Sequence, residues 1–138
     1  MARSVGTVLA PTVLVLLGSL LGFLSCGDDD SSEAIRRGVG SECMTSSDCT
    51  EQGQVCLAQF KGGYCGIEGC QDDGDCPQGS VCVDYTAIDG NSYCFLVCTD
   101  KPQCNQNRSE ENEANCSSSV TFVEPHPGLK ACVPPSGQ

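Results

Sequence analysis

The sequence has no tryptophan, four phenylalanines, three tyrosines and one histidine in 138 residues. Many of its aliphatic residues lie within the first 25 positions, so the rest of the chain has too little large apolar surface to offset the conformational entropy of folding by burial alone. The histidine, His126, sits between two prolines, where we expect an exposed hairpin tip with no nucleophile beside it. The sequence also lacks the Cys-x2-Cys pair of thiol oxidoreductases. These absences predict a protein that is not an enzyme and uses no cofactor.

Cysteine is abundant instead, with thirteen residues, a content typical of a small scaffold braced by disulfides. Twelve of the cysteines fall into three successive groups of four, and each group opens with Cys-x5-Cys. The groups are Cys43, Cys49, Cys56 and Cys65; Cys70, Cys76, Cys82 and Cys94; and Cys98, Cys104, Cys116 and Cys132. We therefore predict a small disulfide-rich fold of three tandem four-cysteine repeats, 43–66, 67–95 and a divergent 96–132. Each repeat would be a loop plus a short β-hairpin, with little helix outside the signal peptide.

The predicted hairpins lie between the third and fourth cysteines of each group, where β-forming residues flank turn residues. Their first strands and turns are Val55 to Phe60 with Lys61-Gly62-Gly63, Val81 to Ile88 with Asp89-Gly90-Asn91, and Val120 to Val123 with a turn near Pro127-Gly128. In the third group we expect the acidic loop 105–115 to be mobile. Residues 133–138 are predicted to be a disordered tail.

Cysteine count alone leaves the disulfide pairing open. If each group is self-contained, three pairings per group remain. Joining neighbours would leave loop and hairpin unconnected, and a nested arrangement is the other alternative. We favour first-to-third with second-to-fourth, because it ties each polar loop to both ends of its hairpin. The resulting pairs are Cys43–Cys56, Cys49–Cys65, Cys70–Cys82, Cys76–Cys94, Cys98–Cys116 and Cys104–Cys132.

Residues 1–25 have one positive charge, at Arg3, followed by an apolar run that is densest from Val13 to Leu24, and they predict a signal peptide. The run ends in Gly22-Phe23-Leu24-Ser25-Cys26-Gly27, which resembles the lipobox of bacterial lipoproteins. The resemblance implies that the peptide is cut before Cys26 and that its thiol is diacylated. Assigning Cys26 to lipid also leaves an even number of cysteines for disulfides. Cleavage after Gly27 by an ordinary signal peptidase, giving a soluble secreted protein, is the alternative.

Residues 26–42 would then be the acylated cysteine and a flexible acidic tether that opens with Asp28-Asp29-Asp30. In lipoproteins an aspartate directly after the cysteine resembles a signal for inner-membrane retention. This chain has Gly27 there, so we expect a lipid-anchored protein of the cell envelope, at the outer membrane or cell surface. Without Arg3, the chain keeps six of its seven basic residues against 18 acidic ones. The negative charge therefore disfavours nucleic acid as a partner. We expect a monomer held to the membrane through its N-terminal lipid.

No metal site is expected from the cysteines or from the acidic residues. Structural zinc sites pair cysteines at Cys-x2-4-Cys, whereas Cys65-x4-Cys70 and Cys94-x3-Cys98, which have that spacing, join neighbouring repeats of an exported chain. The run Asp72-Asp73-Gly74-Asp75 is rich in carboxylate oxygen but lacks the order of a calcium loop and its closing glutamate.

The first two groups share Asp before the second cysteine, then Gly-x-Val-Cys, and a close at Tyr64-Cys65 or Tyr93-Cys94. This pattern resembles the dickkopf N-terminal type of cysteine-rich repeat and similar repeats in lipoproteins of myxobacteria, well over 43–94 and poorly over 98–132. It implies a protein-binding or structural module and no particular site residue. Our hypothesis is an envelope protein that forms part of the coat or binds an extracytoplasmic protein or glycan. The alternative is a secreted protease inhibitor with Lys61 or Arg108 as bait.

Overall fold

The computed structural model describes residues 32–137. The signal segment, Cys26 and the first residues of the tether lie outside that range. The strands are β1 (Val55–Cys56), β2 (Cys65–Gly66), β3 (Ser80–Asp84), β4 (Ser92–Leu96), β5 (Asn115–Ser117) and β6 (Ala131–Val133); the helices are α1 (Glu33–Arg36) and α2 (Lys101–Cys104), with 3₁₀ turns at Ser46–Asp48, Asp73–Asp75 and Glu110–Asn112. The strands pair as three antiparallel hairpins, β1 with β2, β3 with β4 and β5 with β6. A small disulfide-rich fold with hairpins and little helix is therefore confirmed.

Six disulfides hold the hairpins to the loops that precede them. In every group the first cysteine is joined to the third and the second to the fourth, with Cα–Cα distances from 5.3 to 5.9 Å, which is the ordinary range for a disulfide. The third and fourth cysteines of a group lie directly opposite each other in the hairpin register, as Cys56 does to Cys65 and Cys82 to Cys94. The two disulfides of a group are therefore attached to the hairpin at one pair of facing residues.

The hairpins differ from their predicted bounds. In the second, β3 ends at Asp84 and residues 85–91 form a wide turn, closed by a hydrogen bond from Tyr85 N–H to the Asn91 carbonyl (2.9 Å). In the third, the prediction of a strand from Val120 to Val123 was wrong, because the first strand is β5 and this segment lies beside β3. There Asp84 N–H donates to the Thr121 carbonyl and Val123 N–H to the Cys82 carbonyl. The segment thus covers an edge of the second hairpin.

An aromatic cluster joins the first two groups. Its five rings, from Phe60, Tyr64, Tyr85, Tyr93 and Phe95, have centroid separations between 5.1 and 6.1 Å, mostly in edge-to-face arrangements. All but Tyr85 are buried. Such pairs add about 0.5–1.5 kcal/mol each beyond the burial of their area. The third group reaches the same core through Ala131 and Cys132, so the core lies between the groups.

The segment before the first cysteine packs on the body, so the predicted flexible tether does not extend over residues 32–42. The Ser32 hydroxyl caps α1 by accepting from Ile35 N–H (3.3 Å). Ala34 is fully buried, and its N–H donates to the Gln78 carbonyl (2.8 Å). Gly79, at φ +91°, has no room for a side chain because a Cβ there would lie 2.3 Å from that of Ser32. Any free tether is therefore confined to residues before Ser32.

The predicted disordered tail is likewise wrong over residues 133–137. Lys61 N–H donates to the Pro135 carbonyl (2.9 Å), and Gly137 N–H donates to the Gln59 carbonyl (2.8 Å). Between these bonds Phe60 pairs with Ser136 in an antiparallel bridge. The end of the chain thus lies along the turn of the first hairpin.

The acidic loop 105–115, expected to be mobile, is fixed to the first group by Arg108. Its guanidinium donates to four carbonyls: Nη1 to those of Gly40 and Gly63 (both 3.0 Å), Nη2 to that of Lys61 (2.7 Å) and Nε to that of Asn112 (2.8 Å). Because a guanidinium presents its donors in a rigid fork, a single side chain can hold several backbone segments together in this way.

Candidate functional site

An apolar groove opens where the turns of the first two hairpins meet the end of the chain. It has a volume of about 360 Å³ and is lined by Gln59, Phe60, Tyr85, Ile88, Asp89, Val133, Pro134 and Ser136. We call it the Ile88 groove, because Ile88 on its border is 74% exposed. Single exposed aliphatic residues need no explanation. This one, however, continues the apolar surface of a groove whose volume lies within the usual range for ligand pockets, about 300–1000 Å³.

The polar end of the Ile88 groove is held by a short hydrogen-bond chain. Tyr93 hydroxyl donates to Asp89 Oδ2 (2.8 Å) and accepts from Gln59 Nε2 (2.9 Å). Burial, together with the bond to Asp89, raises the pKa of Tyr93 to about 12. The other carboxylate oxygen of Asp89 accepts from Asn91 N–H (3.1 Å). The turn that carries Ile88 is thereby fixed in place.

Phe60 also lines a second groove on the other side of the chain end. This second groove includes Met44, Ala58 and Gly63 and has a volume of about 470 Å³. Met44 is 91% exposed. Two exposed apolar side chains, Met44 and Ile88, therefore line different grooves that have Phe60 in common.

The Ile88 groove has one charged lining residue, the acidic Asp89, and it comes from the second group. The sequence has no basic residue between Lys61 and Lys101, and the second group carries only acidic charge. Its carboxylates are Glu68, Asp72, Asp73, Asp75, Asp84 and Asp89. Several basic residues elsewhere are held by internal contacts, such as Lys101 with Glu113 and Arg108 with its four carbonyls. The carboxylate of Asp89 at the groove therefore favours a cationic group beside it.

Both candidate bait residues of an inhibitor are engaged inside the fold. Burial lowers the pKa of Arg108, against the opposing effect of Tyr64 and Glu42, and its donors serve the four backbone carbonyls. Lys61 Nζ donates to the Glu111 carbonyl (2.6 Å), and the backbone of Lys61 is bonded on both sides, through its N–H and its carbonyl. Neither residue lies on a free extended loop such as a protease cleft requires.

His126 is not an isolated exposed tip, contrary to the expectation from its prolines. Its Nε2 lies 2.5 Å from Asp73 Oδ2, and its ring meets that of Phe122 edge-on. Asp73 Oδ1 accepts from Cys82 N–H (2.9 Å). Burial opposes ionisation of Asp73, but the bond from Cys82 and the contact with His126 prevail and lower its pKa. These contacts fasten the third hairpin to the second group.

In the acidic run Asp72-Asp73-Gly74-Asp75, carboxylates accept hydrogen bonds from nearby backbone N–H groups. Asp72 Oδ1 accepts from Gly74 N–H (2.8 Å), and Asp75 Oδ2 accepts from Gln71 N–H (2.8 Å). Within residues 32–137, the closest groupings of potential ligand atoms are sulfurs, three from each group of four within 4.8 Å of one another. These sulfurs are already joined in disulfides, and metal coordination needs the free thiolate.

No protein-family model, curated protein or solved structure matches this chain. In the part of the chain that the structure describes, neither helix approaches the length and apolar character needed to cross a bilayer. Sequence reasoning misses the Ile88 groove, because it predicts a strand up to Ile88 and a disordered tail over Pro134. One signal was available in the sequence: an isoleucine directly before Asp89-Gly90, in a unit without basic residues.

Proposed function

We propose that the chain is a lipid-anchored extracytoplasmic protein, whose cysteine-rich body serves as a binding module of the cell envelope. The proposal rests on one observation, which is that the disulfides account for every cysteine except Cys26. Twelve of the thirteen are joined in six bridges within the body. Cys26 is the one left over, and it lies where the lipobox resemblance requires the acylated residue. Two or three acyl chains on it would give stable membrane attachment.

The packing of α1 makes the attachment short. Only residues 26–31 separate the acylated cysteine from the body that begins at Ser32. At about 3.5 Å per residue their greatest reach is about 20 Å. The body would therefore stay close to the membrane surface, where it meets other envelope components.

The geometry supports binding of a protein over binding of a glycan. The Ile88 groove is lined mainly by apolar and aromatic side chains and offers few hydrogen-bonding groups, chiefly Gln59 and Asp89. The protease-inhibitor alternative is weakened, because Lys61 and Arg108 are held by internal hydrogen bonds. The resemblance to dickkopf-type repeats agrees with a protein-binding role.

Metabolic labelling with a palmitate analogue in a bacterial host tests the anchor. The wild type is expected to carry the label, and Cys26→Ser is expected to lose it. A thiol assay on the variant is the control, since an absence of free thiols shows that the six bridges still form. A processed wild-type protein that has no label and begins at Asp28 would overturn the proposal in favour of soluble secretion.

A further inference from the structure

We infer that the Ile88 groove binds a basic polypeptide segment that inserts one aliphatic side chain between Ile88 and Phe60. The inference rests on the proposed function in one respect, that the body faces partners outside the cytoplasm. It goes further in assigning the surface and the chemistry of the partner.

The border of the Ile88 groove presents apolar surface to solvent. Ile88 is largely exposed, although Phe60, Tyr85 and Pro134 lie around the same groove. An aliphatic side chain placed there would remove apolar surface of both partners from water, which is the main source of affinity in small apolar sites.

The segment that carries Ile88 also contains two carboxylates, those of Asp84 and Asp89. Hydrogen bonds from the side chain and the N–H of Thr86 lower the pKa of Asp84. Asp89 is fixed on the other side of Ile88 by Tyr93 and Asn91. Asp84 thus ends the strand before the turn, and Asp89 lies within the turn directly after Ile88. A lysine or arginine beside the inserted residue would meet the carboxylate of Asp89, which lines the groove.

The preformed turn favours recognition of a short segment. The hydrogen-bond chain from Gln59 through Tyr93 to Asp89 already orders the groove. Binding therefore costs little conformational entropy in this protein. A second copy of the chain is disfavoured as the occupant. Each copy has a formal charge of −11, and the second groups that would meet carry only acidic side chains.

The test uses the protein as it is exported, placed in nanodiscs of neutral phosphatidylcholine if it proves to be acylated. The outcome is thus independent of the labelling experiment. The probes are three fluorescent octapeptides: one of lysines with a central leucine, one with serine in place of that leucine, and one with glutamates in place of the lysines. Fluorescence anisotropy in dilute salt measures binding.

We expect the lysine and leucine peptide to bind, the serine peptide to bind about tenfold more weakly because the aliphatic burial is lost, and the glutamate peptide not to bind. Ile88→Ser should lower affinity for the leucine peptide about tenfold. Met44→Ser, the matched change of another exposed apolar residue, should leave it unchanged. Asp89→Asn should weaken binding and reduce its salt dependence.

Three results would overturn the inference. The first is equal binding of the leucine and serine peptides, which would mean attraction by charge alone. The second is an equal effect, or no effect, of Ile88→Ser and Met44→Ser. The third is self-association seen by light scattering and abolished by Ile88→Ser, which would make a second copy the occupant. If the peptides behave as expected and Cys26 carries no lipid, the groove assignment stands and only the anchor fails.

Discussion

Replacing Arg108 with alanine removes the contact that ties the loop of the third group to the first. The guanidinium donates four hydrogen bonds to backbone carbonyls, and a bond from a charged donor contributes about 1.5–3 kcal/mol. The sum overstates the loss, because the site is half-buried and water can reach the vacated carbonyls. Burial of the guanidinium also has a cost that the variant escapes. We expect a net loss of about 3 kcal/mol in the free energy of unfolding, the size of one or two hydrogen bonds from a charged donor.

The assay is unfolding by guanidinium chloride with the disulfides intact, followed by circular dichroism. Arg108→Lys keeps the charge but loses the fork, so one ammonium cannot serve the carbonyls of Gly40, Lys61 and Gly63 together. We expect it to lose about 2 kcal/mol. Arg36→Ala, at an exposed arginine, should change stability by less than about 0.5 kcal/mol. Arg108→Ala as stable as Arg36→Ala, or Arg108→Lys as stable as the wild type, would refute the role given to the hydrogen-bond fork.

Two further predictions concern the core and its turns. All three tyrosines have raised pKa values, and that of Tyr93 reaches about 12, above about 10 for an unfolded chain. The stability that this shift represents is present below pH 10 and is lost as pH rises through 12. Absorbance at 295 nm after a rapid pH jump should therefore show Tyr93 ionising near pH 12 in the native protein. Gly63→Ala should prevent folding, because its Cβ would lie 2.1 Å from the Cys43 carbonyl oxygen. Gly53→Ala, also at positive φ but with open space around the new Cβ, should lower the free energy of unfolding by about 1–2 kcal/mol, measured by thermal unfolding. Similar losses in the two variants would show that backbone strain at φ, and not the close approach, sets the cost.

Local patterns carried the part of the fold that sequence could predict. The β-forming residues from Val81 and the turn residues Asp89-Gly90-Asn91 indicated the second hairpin. The first strand of the third hairpin was misplaced because Phe122 and its neighbours look like a strand by composition. They are used as an edge segment beside Val83 instead.

The contacts that sequence reasoning missed are long-range bonds from polar groups or backbone, which leave no periodic signal. Arg108 lies in an acidic loop, and nothing in its neighbours indicates that its donors reach Gly40, 68 positions away. The same holds for the chain end, which pairs with Phe60 through its backbone. The Ile88 groove depends on that pairing, and a prediction of a disordered tail leaves the pairing out.

The crossed arrangement of the bridges bears on the order in which the chain can be oxidised. A chain that enters an oxidising compartment from its amino end presents Cys43 and Cys49 before their partners. An oxidant that joins thiols as they appear would therefore link these two, which the final structure holds in separate bridges to Cys56 and Cys65. The sulfurs of Cys43, Cys49 and Cys65 lie within 4.8 Å, so a thiolate can attack the neighbouring bridge and exchange partners over a short distance. The yield of native protein should then be limited by isomerisation of disulfides and not by their formation, and most strongly in the third group, whose longest bridge spans 28 positions.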